Sequence, residues 1–354
     1  MANRIPGVCA LTVVARLSRP VLVAPAPLAV SRRVEWVNYA KGLGIILVVV
    51  GHAWRGLATL ATPGQAHVMS VVDTAIYQFH MPLFFVLSGL FVAHSAQRPL
   101  GKFVLQKLRT IAYPYVLWTL IQTAIASEAG AAAHHKISFL AVLKHLPYQP
   151  VGQFWFLYVL LMCMLAFGLL SKARLGSIPI LFAAIALYVA RHLVHGMEWG
   201  PLYQFSADFV YFAAGAVLAP MVLAGISKID WPLLLLPSLA MLAIITLLAA
   251  RSPGVVRMND ITVTAALGII ATAGIAVVLT KTPGTGILSI LGEASLAIYV
   301  AHIVFTAAAR TVLLKLHVTD LPNQLLVGTL VGLGAPLLLF FVSRRMKFQY
   351  LFTL

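Results

Sequence analysis

Runs of about twenty apolar residues recur along this chain, and a run of that length has few ways to fold. In hydrocarbon every backbone N–H and C=O must find its partner within the segment, so such a run becomes a helix that crosses a bilayer. About ten are readable, near 37–58, 72–94, 107–126, 153–171, 177–195, 205–224, 231–250, 261–280, 290–313 and 324–343. Composition agrees: of 354 residues 61% are hydrophobic and 10% charged, with a mean hydropathy of +0.96, more apolar than a soluble domain can carry. The expected fold class is all-α, a polytopic membrane protein with about ten transmembrane helices. Residues 1–34 read as a flexible cytoplasmic arm and 35–354 as one transmembrane domain, with no repeat and no long linker.

A net charge of +16 would suggest nucleic acid in a soluble protein. In a membrane protein, basic residues anchor cytoplasmic loops and face anionic lipid headgroups, so membrane lipids are the expected partner and nucleic acid is not. With the N-terminus inside, inner segments carry Lys and Arg over outer ones by two to one, which puts both termini in the cytoplasm. Cys9 and Cys163 stand in unrelated segments, which implies neither a disulfide framework nor a zinc site, and no metal is expected. The long outer loop, about 127–152, contains "SFLAVLKHL", which fits a short interfacial helix.

Polar groups inside spans are costly, and their default reading is functional. The stretch "YAKGLGIILVVVGHAW" holds Lys41 and His52 eleven residues apart. At 100° per residue both fall on one helix face, about 16 Å apart along the axis, where they could line a single passage. The second span runs back inward and brings His80, in "DTAIYQFHMPLFFVLSG", to a depth similar to that of His52. Two imidazoles at one level suit acid–base work; alternatively, His80 bonds a carbonyl at the kink that Pro82 makes. Asp73, Asp208, Gln153 and Trp155 fall at the same outer level. A carboxylate there could fix a histidine's tautomer, or simply occupy a helix N-terminus, and Trp155 could be an interface aromatic. On the inner side Lys102, Lys107 and Arg109, in "GKFVLQKLRTIAYPYVLW", could hold phosphates or act only as positive-inside anchors. His302 lies mid-span as either a packing or a pathway residue. No G-x-S-x-G elbow, Walker loop or H-E-x-x-H motif is present.

The strings "YAKGLGIILVVVGH", "FHMPLFFVLSGLF", "KLRTIAYPYVLW", "FWFLYVLL" and "EASLAIYVAHIVF", in that order, resemble the acyltransferase 3 family of integral membrane acyltransferases, particularly its fucose 4-O-acetylase-like branch. The resemblance implies a ten-helix fold that takes an acyl group from cytosolic acetyl-CoA to a sugar hydroxyl beyond the membrane. It also implies that His52 is the catalytic histidine and that Lys41 is the basic residue eleven positions before it; on that basis the donor's phosphates are expected among Lys41, Lys107 and Arg109, with His52 as general base assisted by His80. Asp73, Gln153, Trp155 and Asp208 are then expected on the acceptor side. The expected acceptor is a polysaccharide or lipid-linked oligosaccharide, and the expected location is the bacterial cytoplasmic membrane. Two other classes compete: a transporter of sugar or acyl groups, and a non-catalytic subunit of a polysaccharide export complex.

Overall fold

The computed structural model describes residues 28–128, 139–193, 199–226, 229–253 and 263–354. Among them there is no strand, and the chain is all-α. The helices are α1 (Leu28–Gly56), α2 (Pro63–Tyr77), α3 (His80–Gly89), α4 (Val92–Ala96), α5 (Leu100–Lys107), α6 (Tyr113–Glu128), α7 (Phe139–His145) and α8 (Trp155–Lys172). They continue with α9 (Ser177–Leu193), α10 (Gly200–Gly225), α11 (Trp231–Arg251), α12 (Val263–Thr280), α13 (Gly286–Glu293), α14 (Ser295–Lys315) and α15 (Leu321–Arg345).

Eight helical segments among the described residues are long and apolar enough to cross a membrane, and α9 is a shorter apolar helix. The protein is a multi-pass membrane protein. The side chains of α11 and α15 mostly point away from the bundle, with Leu236 and Leu338 among the most exposed, as a lipid-facing surface requires.

Several expected boundaries move, each for a local reason. The second span begins at Pro63 rather than near residue 72, because Thr62 and Gln65 close a capping box and Pro63 starts the helix. It then breaks at Gln78–Phe79, four residues ahead of the missing N–H of Pro82, so α2 and α3 form one bent crossing. The stretch expected at 107–126 is interrupted by a π-helical turn, Leu108–Ala112, just before Pro114. Proline leaves a carbonyl one turn back without its donor, and a wider turn absorbs the mismatch. The ninth span begins at Ser295, after a break at Ala294 that separates α13. The "SFLAVLKHL" stretch does contain a short helix, α7. The expected arm lies outside the described residues except where α1 begins.

Contacts between elements fix which ends lie together. Glycines let α13 lie directly on α1: a Cβ at Gly292 would strike the Asn38 carbonyl, and one at Gly42 would strike Leu288. Arg344 pairs with Glu293, Tyr113 donates to the Tyr350 carbonyl at 2.7 Å, and Leu354 N donates to the Arg109 carbonyl. The starts of α1, α6 and α14 and the end of α15 therefore share one end of the bundle, which also holds the Arg344–Arg345 pair. At the other end Arg310 of α14 donates to the Gly56 carbonyl, and Trp54 donates to the Met69 carbonyl of α2 at 3.1 Å. Gln153 donates to Gln122 at 2.9 Å, setting the start of α8 beside the far half of α6.

Candidate active site

Near that second end, His52 stands half-buried on the floor of a cavity of about 690 Å³ between α1, α14 and α15. Thr306, Arg310, Thr311, Lys315 and Gln324 supply its polar lining. Neither ring nitrogen of His52 hydrogen bonds to a described residue, so both remain open to a ligand.

The ring nearest His52 is His302, at 5.1 Å between centroids. Nδ1 of His302 lies 2.8 Å from the Tyr299 carbonyl and 3.1 Å from the Ile298 carbonyl. A carbonyl only accepts, so Nδ1 carries the proton and Nε2 is left with its lone pair. That Nε2 is buried and has no hydrogen-bond partner. One nitrogen thus fixes the tautomer while the other is held in readiness beside His52. The spacing of Tyr299 and His302, three residues apart on one helix face, places both rings in the same wall, 6.2 Å apart.

No ring contact joins His80 to His52; Tyr77 contacts both, 6.5 Å from the His52 ring and 4.5 Å from the His80 ring. Nδ1 of His80 lies 2.9 Å from the Ile76 carbonyl, so the kink-bonding alternative describes its position. Tyr77 packs over Gly51, where a Cβ would lie 3.2 Å from its oxygen, and that buried hydroxyl has no hydrogen-bond partner.

Asp73 does not reach a histidine either. It takes both forks of Arg55, at 2.9 and 2.8 Å, and the Arg55 guanidinium lies 3.4 Å over the Tyr77 ring. The carboxylate therefore orients a cation that clamps Tyr77, a bidentate geometry lysine cannot supply. Asp208 is buried in α10 with Arg191 and Cys163 as its electrostatic neighbours, apart from the histidines. Gln153 ties α8 to the wall behind His302: its amide bonds Gln122, which donates to the Val300 carbonyl at 2.7 Å, and its own carbonyl accepts from Tyr299. Trp155 lines a separate cavity near the starts of α8 and α10.

The basic residues expected near the donor share the opposite end. Lys41 is half-buried on α1; Lys107 sits 5.3 Å from the Phe103 ring; Arg109 is exposed on the π turn, and Lys102 is exposed one turn before Lys107. Between Lys41 and His52 the same helix stripe carries Ile45 and Val48, and both are fully buried in the apolar core. In this conformation the face between the two polar groups is packed with side chains, so an extended molecule reaching His52 along it requires them to part.

The fold and this site define a polytopic helical membrane protein with an open histidine, backed by a second histidine, at the bottom of a cavity facing one side. An acyltransferase-domain model matches residues 34–343, and the chain belongs to the acyltransferase 3 family. Part of it is also similar to a nodulation protein, NolL, of Sinorhizobium fredii (strain NBRC 101917 / NGR234), 32% identical over 158 residues, or 42% of either chain. It is similar too to the nodulation protein NolL of Mesorhizobium japonicum (strain LMG 29417 / CECT 9101 / MAFF 303099), 29% identical over 155 residues, 43% of this chain and 40% of that one. In these alignments the chain spans about two fifths of the length of the curated relatives it matches. No solved structure matches it.

Proposed function

We propose that this protein is an O-acetyltransferase of the bacterial cytoplasmic membrane, with both termini in the cytoplasm. It moves an acetyl group from cytosolic acetyl-CoA to a sugar hydroxyl of an extracytoplasmic polysaccharide or lipid-linked repeat unit, and so modifies exopolysaccharide. The observation that carries this reading is His52, unpartnered at both nitrogens on the floor of the 690 Å³ cavity, with the free Nε2 of His302 beside it.

In the proposed step His52 accepts the proton of the sugar hydroxyl as its oxygen bonds the thioester carbon. A hydrogen bond from the other His52 nitrogen to His302 Nε2, not made in the resting structure, would form in this step and hold the imidazole in the tautomer that can act as base. Tyr77, held by Arg55 and Asp73, offers its hydroxyl to the oxyanion that forms. The C–S bond then breaks and the leaving thiolate takes the proton from His52, so the enzyme ends as it began. Lys41, Lys107 and Arg109, all at the other end, are the cations available to the phosphates of the donor. Membership of the acyltransferase family supports the reaction class, and the one-sided cavity supports an acceptor that does not share the donor's compartment.

The test compares base-labile acetate on surface polysaccharide in cells lacking the gene, restored with it, or restored with His52→Ala. Acetate is expected to vanish on deletion and to return only with His52 intact, while the variant protein inserts normally. A fall in polymer amount at unchanged acetate per sugar would instead assign the protein to export.

A further inference from the structure

The second cavity, of about 510 Å³, is built by the segment before α8 and the start of α10. Its wall is made of Tyr148, Trp155, Trp199 and Tyr203, with the amides of Gln149 and Gln204. No lining residue carries a charge. We propose that this aromatic cavity is a glycan-binding subsite that holds a neutral sugar segment of the acceptor chain, several residues away from the hydroxyl that is modified. The inference rests on the glycan-acceptor reading above and adds to it that the acceptor is an oligomer or polymer.

Three features carry it. Flat rings edged by amides match the two surfaces of a neutral sugar, whose axial C–H groups stack on aromatic faces while its hydroxyls meet hydrogen-bonding groups. Neither Gln149 nor Gln204 spends its side-chain amide on a described residue. Two of the rings are also tied to the protein. Trp199 donates to the Tyr148 carbonyl at 2.5 Å, and Arg191, only 3% exposed, braces Tyr203 from behind at 5.0 Å from its ring. An interfacial belt needs no such internal bonds, and a phosphate headgroup would find no cation in this lining.

Finally, the cavity opens at the same end of the bundle as the His52 cavity. Ring contacts run from Trp155 to Phe156 at 6.4 Å, to Tyr299 at 5.4 Å, to His302 and then to His52, so the two cavities flank one wall of packed rings.

The experiment uses the full chain in nanodiscs and neutral β-glucan, galactan and chitin oligomers of two to six sugars. Binding is read by saturation-transfer NMR, and transfer by acetate incorporated from acetyl-CoA. Hexamers are expected to bind, and binding is expected to weaken at least tenfold in Trp199→Ala and in the double variant Gln149→Ala, Gln204→Ala. The double variant removes no ring and so guards against misfolding of the first. In both, the KM for hexamers should rise by a similar factor while kcat and the KM for disaccharides hold. His52→Ala should bind hexamers normally, which separates failure of the subsite from failure of the acetyl-transfer reading. The proposal is overturned if no oligomer binds the unaltered protein, if the variants bind as well as it does, or if the bound signal comes from lipid headgroups alone.

Discussion

At the scale of single residues, the site turns on two polar atoms left without partners, the Tyr77 hydroxyl and His302 Nε2. A buried polar atom without a partner lowers stability, so removing it should not unfold the protein. Tyr77→Phe is expected to leave thermal stability within about 0.5 kcal/mol of the parent, or raise it slightly, while kcat falls by about 10²–10³-fold if the hydroxyl serves the oxyanion. Parallel melting and turnover measurements check this; equal loss of both would make Tyr77 a packing residue. His302→Ala is expected to lower kcat by about 10²–10⁴-fold, with little change in the KM for acetyl-CoA. Of this site, His52, Asp73 and Gln153 are legible in the sequence as polar residues within spans, and His302 as either a packing or a pathway residue. The rest was present as spacing: Asp73, Tyr77 and His80 fall at four- and three-residue intervals along one bent crossing, as do Tyr299 and His302 along α14. Spacing shows which side chains share a face, but not which neighbouring helix that face meets. Depth along the spans brings His80 level with His52 without showing that Tyr77 contacts both rings, and it gives no sign that Arg55 engages Asp73.

At the scale of elements, glycines determine how near the site's helices come. α13 lies against α1 at Gly42 and Gly292, and α3 against α10 at Gly89 and Gly215, each where an added Cβ would meet backbone rather than a movable side chain. Gly292→Ala is therefore expected to cost about 1–3 kcal/mol through overpacking, read as a lower melting temperature in detergent, and to reduce activity by displacing α1. A control at Gly56, where a Cβ would meet nothing within 4 Å, should be much milder. The apolar runs made most crossings legible in advance, since hydrophobicity at that length is nearly sufficient. Their ends were less so: the Thr62–Gln65 capping box and the π turn ahead of Pro114 depend on local backbone partners that an apolar count does not register.

At the scale of the whole molecule, the basic residues at the starts of α1 and α6 and at the end of α15 mark the end proposed to face the cytoplasm. After Cys9→Ser and Cys163→Ser, a cysteine at Lys347 should react with a membrane-impermeant maleimide only in inside-out vesicles, and one at Lys315 only in intact spheroplasts. The reverse pattern would place the His52 cavity in the cytoplasm and remove the need for any transfer across the bilayer. The buried stripe of Ile45 and Val48 between these two ends has a bearing on the cell's energetics. A standing water-filled column past several imidazoles would conduct protons and discharge the gradient that the membrane maintains. Under the proposed function, aliphatic side chains that part for the donor's acyl arm and close behind it would let the acyl group through while the membrane stays electrically tight.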